Sequence, residues 1–198
     1  MSYDISLIER DTFRTIQLPI KHAMIGGTYA ADYNKATGVF TPRLISEAHL
    51  NVTYNYSRYY YEATADDPRF TAVDDDKVTM INCGIRGIYN KTGGESISML
   101  EDMIKRIKDK YYKNEDWVTT ERAVTKYISN DSGEGLDFLD VITSKYPIGT
   151  YHKEDSIEYV YEGDDSSYWR ATAVNALKPL YQLLEMAKLR PDGIWAGD

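Results

Sequence analysis

The chain is short of cysteine, histidine and long apolar runs, and each shortage excludes something. Cys83 is the one cysteine in 198 residues. It has no internal disulfide partner, so a reducing compartment is the expected setting. Three histidines, with no His-x3-His and no cysteine pair, leave little for a metal centre. A site would have to draw on Glu47, His49 and either His22 or His152, and no metal or other cofactor is expected. No stretch approaches the roughly 20 apolar residues of a membrane-spanning helix. Runs of Lys and Arg are missing as well. Lys plus Arg total 23 against 31 Asp plus Glu, a net charge of -8. That balance argues against binding a nucleic-acid backbone or an anionic membrane. The opening MSYDISLIERD has no basic leader followed by an apolar run. The expectation is a cytoplasmic protein, and the four Asn-x-Ser/Thr triplets are read as unmodified.

Catalytic signatures are scarce. No Gly-x-Ser-x-Gly elbow, P-loop or Gly-x-Gly-x-x-Gly is present. Cys83 reads as a buried structural thiol. The 130–135 stretch resembles a calcium loop but has Val141 where the bidentate glutamate belongs.

What is abundant is tyrosine, 18 residues against 4 Phe and 3 Trp. Tyrosine adds a hydroxyl that must be satisfied when buried, and tyrosine-rich surfaces recognise partners. Residues 47–61 read EAHLNVTYNYSRYYY. In 47–55 the parity is clean and predicts a strand. Ala48, Leu50, Val52 and Tyr54 form one face. Glu47, His49, Asn51, Thr53 and Asn55 form the other, a comb of hydrogen-bonding groups suited to a polar ligand. The alternative is the solvent face of an edge strand, where Lys and Glu are the ordinary choices.

Elsewhere, 3–18 predicts a β-hairpin turning at Glu9-Arg10-Asp11 and ended by Pro19. Gly26-Gly27 reads as a joint, 34–42 as a loop and 66–76 as an acidic loop. Ser57 is a candidate cap for a short helix through Ala63, and 84–89 predicts another. Thr92 and Glu95 have capping-box spacing, followed by Ile97, Leu100, Met103, Ile104 and Ile107 at helical intervals. A helix over 95–112 follows from these. Further helices are predicted over 119–128 and 136–146, a strand over 156–161, and a last helix over 172–189 carrying Pro179. The fold class expected is α+β: a single domain with a small N-terminal antiparallel sheet packed against several α-helices. Leu50, Val52, Leu100, Ile104, Ile107, Leu177, Leu180, Leu183 and Leu184 are its predicted core.

Two further segments carry candidate binding residues. GIRGIYNKTGGES places Arg86, Lys91 and Thr92 just before a helix N-terminus, where free amides and two cations suit a phosphate or carboxylate. Capping with surface charge is the simpler alternative. YWRATAVNALK offers Asn175 and Lys178 one turn apart on one helix face, or else merely a helix start with an aromatic lid.

GGTY, EAHLNVTYNYS, GIRGIYNKTGGES and YWRATAVNALKPLYQLLEMAKLRPDGIWAGD together resemble an uncharacterised family of bacteria, phages and prophages. The resemblance covers about half the chain and leaves out 66–82 and 113–165, which read as insertions. It implies an accessory protein of a mobile element acting in a bacterial cytoplasm, and it transfers no chemistry. The leading functional expectation is non-enzymatic binding of a small polar ligand or a bacterial host protein, with blunting of a host defence as a role. One alternative is an enzyme acting on a small polar or phosphorylated substrate. His49 and Glu47 would be its base and acid, and Arg86 and Lys91 would hold an anion. Another is a structural phage component that self-associates as a homo-oligomer.

Overall fold

The computed structural model describes residues 2–23, 31–74, 79–129 and 151–198. The architecture is α+β, and its sheets are several small antiparallel ones rather than one N-terminal sheet. The central sheet has three strands, β1 (Ser2–Ile8), β6 (His49–Thr53) and β13 (Ile194–Gly197), in the order β13-β1-β6. Its third strand comes from the far end of the sequence, with Leu7 opposite Trp195. Tyr3, Ile5, Leu7, Leu50, Val52 and Trp195 point into the core. Two long helices complete that core: α2 (Gly93–Tyr111) and α3 (Ala173–Leu189), which pack on one another. A shorter helix, α1 (Ser57–Thr64), packs on α2. All nine predicted core residues are buried.

The helix starts follow from local chemistry. Thr92 and Glu95 form the reciprocal capping box of α2, the Glu95 amide donating to Thr92 Oγ1 at 3.2 Å and Glu95 Oε2 accepting from the Thr92 amide at 2.7 Å. Thr172 caps α3 through the Asn175 amide at 3.2 Å. Pro179 lies inside α3, buried. Ser57 does not cap α1; its hydroxyl instead meets Tyr3 OH at 2.6 Å. The 84–89 segment is a 3-10 turn, Gly84–Ile88, rather than an α-helix.

Several predicted elements differ. Ile8 does bridge Thr15, so the turn at 9–14 exists, but β2 (Gln17–Ala23) leaves β1 and pairs with β5 (Leu44–Glu47). Pro19 sits within β2 instead of ending it. The 47–55 strand is broken. Ala48 is a bend between β5 and β6 because its carbonyl accepts from Leu7 N and its amide donates to Ile16 O, both at 2.8 Å. After Thr53 the chain turns into a 3-10 segment, Tyr54–Tyr56. The 34–42 loop is a hairpin of β3 (Ala31–Asn34) and β4 (Val39–Pro42), and the acidic 66–76 stretch contains β7 (Thr71–Asp74), which pairs with β8 (Thr79–Asn82). Tyr112–Lys113 and Asp116–Trp117 make a two-residue pair, β9 and β10. Cys83 is half-buried, not buried.

The chain divides into two compact units, 1–118 with 162–198, and Thr119–Tyr161. The second unit is a ribbon of β11 (Thr119–Ser129) and β12 (Tyr151–Tyr161). The helix predicted over 119–128 is therefore strand β11, paired in register with β12 from Thr119 opposite Tyr161 to Ser129 opposite Tyr151. The predicted helix 136–146, the calcium-like loop and the Gly26-Gly27 joint lie outside the described residues.

Candidate functional site

The five comb residues take separate tasks. Glu47 ends β5, and its carbonyl accepts from His22 Nε2 at 2.8 Å. His49 Nδ1 lies 2.9 Å from Ser6 Oγ on the neighbouring strand. Asn51 Nδ2 donates to Ser2 Oγ at 2.8 Å and to the Asp4 carboxylate. Thr53 is buried and caps the following 3-10 turn. Asn55 Nδ2 donates to the Trp169 carbonyl at 2.8 Å.

The anion site predicted beside α2 is internally occupied. The Gly93 amide donates to Gly193 O at 2.8 Å and the Gly94 amide to Pro191 O at 3.0 Å. Glu95 and Ser96 amides go to Thr92. The first-turn amides are thus spent on the turn before β13 and on the cap. Arg86 is engaged elsewhere, with Nη2 on Tyr54 OH at 2.7 Å, Nε on Asp198 O at 3.1 Å, and its guanidinium 4.6 Å from the Tyr3 ring centre. The Asp4 amide donates to Asp198 Oδ1 at 3.2 Å, so Asn51 and Arg86 join one polar strip through Asp4 and Asp198. Thr92 and Lys91 stay with the helix start, where the Lys91 carbonyl accepts from the Trp195 amide at 2.9 Å.

Asn55 and Asn175 do converge, on the loop that opens the YWRATAVNALK segment. In residues 167–171, five consecutive carbonyls each accept a bond from a side chain. Asn175 Nδ2 reaches Ser167 O and Arg170 O, both at 3.1 Å. Tyr56 OH donates to Tyr168 O, and Asn55 Nδ2 to Trp169 O. The Tyr59 hydroxyl is shared between Ala171 O (2.6 Å) and the buried Glu162 carboxylate (2.5 Å). Burial pushes the Tyr56 hydroxyl pKa up and keeps that group a donor. Asp165 holds the loop's other side, accepting from the Ser167 amide at 2.8 Å and pairing with Arg170 Nη1 at 2.9 Å. The Ser167 amide, then the Arg170 guanidinium, hold the Asp165 carboxyl below its usual range. Lys178 anchors Asn175 Oδ1 at 2.9 Å and pairs with Asp164 at 2.5 Å.

Loop carbonyls ordinarily face water. Here they are tied down while the loop's side chains are presented outward. Trp169 is 53% exposed and Arg170 is exposed beside it. The Trp169 ring leans on Tyr168, centroids 4.5 Å apart. The backbone beneath this exposed tryptophan is ordered by folding itself. The sequence signal for this was the tyrosine excess. Tyr56 ends the 3-10 turn after β6 with its ring buried, and its hydroxyl reaches the loop. Nothing local marks Tyr56 and Tyr59 as partners of carbonyls more than 100 positions away.

Among the described residues no group of three or more His, Cys, Asp or Glu is arranged to hold a metal. No helix of the described residues is long and apolar enough to cross a membrane. In comparisons with protein-family models, curated proteins and solved structures, nothing matches the chain.

Proposed function

We propose that this chain is a non-enzymatic recognition protein whose contact element is the 167–171 loop, with Trp169 as anchor and Tyr168 and Arg170 flanking it. The observation that carries the reading is the set of five side-chain-bonded carbonyls beneath an exposed tryptophan. Rigid aromatic anchors dominate binding energy where proteins meet. The partner is a protein, and the resemblance to phage and prophage proteins makes a bacterial host protein the first to test. Most of the comb residues, with Arg86 and Asn175, hold hydrogen bonds inside the protein, which favours this reading over a small-ligand or enzyme site built on them.

The test is a photo-crosslinking amino acid at exposed Ser166 beside the loop, in a chain with Trp169 intact and again with Trp169→Ala, each used as bait in host lysate. The expected result is one dominant crosslinked protein, whose capture Trp169→Ala abolishes at unchanged melting temperature. With that partner purified, Asn55→Ala should weaken binding by about fivefold, since losing one bond of about 1 kcal/mol loosens the loop without removing a contact. A partner captured equally well by Trp169→Ala would refute the assignment.

The self-associating alternative has its own support in the ribbon. Ile157, Tyr159 and Tyr161 alternate along one face of β12 and are 63%, 73% and 49% exposed. Sedimentation velocity at rising concentration distinguishes the two: a monomer throughout leaves the partner reading, whereas a dimer lost on Tyr159→Lys favours self-assembly.

A further inference from the structure

The turn between β1 and β2 presents a strained aromatic residue. Its backbone closes twice, the Glu9 amide on the Arg14 carbonyl at 2.9 Å and the Phe13 amide on the Glu9 carbonyl at 3.0 Å. Thr12 Oγ1 donates to Glu9 Oε2 at 2.6 Å and accepts from the Arg14 amide at 3.3 Å. Phe13, the last turn position, has a φ of +56°. Glycine or asparagine is the ordinary occupant of such a left-handed position, and a bulky side chain is strained there. Phe13 is also 75% exposed, the most exposed of the large apolar side chains described. It destabilises its own fold twice, through backbone strain and through an unburied ring. Strain held at an exposed side chain asks for a use outside that fold. The Arg14 guanidinium next to it is exposed and has no ion pair among the described residues. The same chain carries a hole of matching size. A cleft of about 220 Å³ lies between β2 and α3. Leu18 and Met186 are its buried floor, and Ile20, Tyr181 and Leu189 its half-open rim. A cavity of about 150 Å³ holds benzene, so one phenylalanine ring fits. Glu185 is the acidic residue of the lining, at the solvent side.

We propose that the cleft receives Phe13 of a second copy of this chain, with the ring on Leu18 and Met186 and Arg14 beside Glu185. Knob and cleft are different surfaces, so the contact is heterologous: each copy gives one ring and takes one. Burying the ring recovers the free energy that its exposure forfeits. An aromatic side chain seated in a desolvated pocket is the usual anchor where proteins meet. The Arg14 and Glu185 charges are complementary and lie at the rim, where they orient the encounter more than they tighten it. This contact goes beyond the Trp169 reading and uses none of its residues, nor those of the ribbon face.

The test is sedimentation velocity of the full chain at rising concentration, with one variant on each side of the contact. Phe13→Gly removes the ring and suits the positive φ. Ile20→Lys sets a charge at the mouth of the cleft, on an exposed strand position. The expected result is a self-associating wild type, weakened about thirtyfold by either change, the scale of losing a central aromatic anchor. An equimolar mixture of the two variants should associate where neither does alone, because one brings the cleft and the other the ring. Dilute Phe13→Gly should melt no lower than dilute wild type, since its backbone strain is relieved. A chain monomeric up to about 1 mM, or variants that stay apart when mixed, would overturn the proposal. So would a lower melting temperature for Phe13→Gly, which would give the ring a role inside its own fold. Association lost on Tyr159→Lys and indifferent to Phe13→Gly would move the contact to the ribbon. The Trp169 reading is tested separately, by capture of a different protein.

Discussion

Single side chains in this protein mostly act as braces between elements distant in sequence. Asp67 is the clearest case. It is 4% exposed, caps the 3-10 turn Pro68–Phe70 and accepts from Arg69 Nη2 at 2.6 Å and from Arg106 Nη2 of α2 at 3.2 Å. The Arg69 guanidinium, outweighing the opposing effect of burial, holds its carboxyl below the usual range. A depressed folded-state pKa means the stabilisation is fully present above the unfolded value of about 3.9 and is lost as pH falls through the folded value. Asp67→Asn should therefore be less stable than wild type by about 2 kcal/mol at pH 7, the scale of a hydrogen bond to a charged group. The gap should narrow below about pH 4 as the wild-type carboxylate protonates. Urea midpoints at pH 7, 5 and 3 measure it. A gap that stays constant down to pH 3 would assign the loss to packing instead of charge.

At the scale of elements, what was legible in the sequence was what is decided locally. The Thr92–Glu95 box, the apolar stripe of α2 and the Thr172 start of α3 involve residues within a few positions of each other. Strand pairing is not local. β13 joins β1 across nearly the whole chain, and the Ala48 bend arises from hydrogen bonds to Leu7 and Ile16 that no alternation in 47–55 encodes. β11 was legible only as a helix because a two-stranded ribbon buries neither face fully. Thr120, Arg122 and Val124 are half-buried and Glu121, Ala123 and Thr125 are exposed, so the period-2 contrast is faint. The placement of the comb residues is non-local for the same reason. Asn55 was read as part of a strand face, whereas its amide serves a loop 114 positions away.

The docking of α2 gives a sharp prediction at this scale. Gly93 and Gly94 are neighbours in its first turn, and helix propensity alone favours alanine at both by up to about 1 kcal/mol. A Cβ on Gly93 would stand 2.5 Å from the Arg190 carbonyl oxygen, while one on Gly94 meets nothing closer than 3.4 Å. The Arg190 carbonyl belongs to backbone and cannot swing aside. Gly93→Ala should cost about 1–3 kcal/mol, and Gly94→Ala should be neutral or stabilising by a few tenths. Thermal melts of the two variants decide it. Equal melting temperatures would mean the 190–193 turn yields to the helix.

For the whole molecule, the ribbon is separable in principle from the core that carries the Trp169 loop. The Glu162 amide donates to the Val118 carbonyl at 2.9 Å, so the chain leaves and re-enters the larger unit at adjacent points. That unit holds the buried core, with the central sheet and all three described α-helices. A two-stranded ribbon, by contrast, is marginal in water by itself. Hydrogen exchange should therefore be fast along β11 and β12 and slow in β1, α2 and α3. Replacing Thr119–Tyr161 with an Asn-Gly turn, which closes an antiparallel pair in two residues, should leave a folded protein. Its near-ultraviolet circular dichroism should keep the signal of buried Trp195, and its unfolding should stay cooperative. The deletion also separates the two binding readings. Retained partner capture by Trp169 in the shortened chain would place recognition on the braced loop. Loss of capture with the core intact would move it to the Ile157, Tyr159 and Tyr161 face. Loss of cooperative unfolding would mean the core depends on the ribbon, contrary to the division argued from Val118 and Glu162.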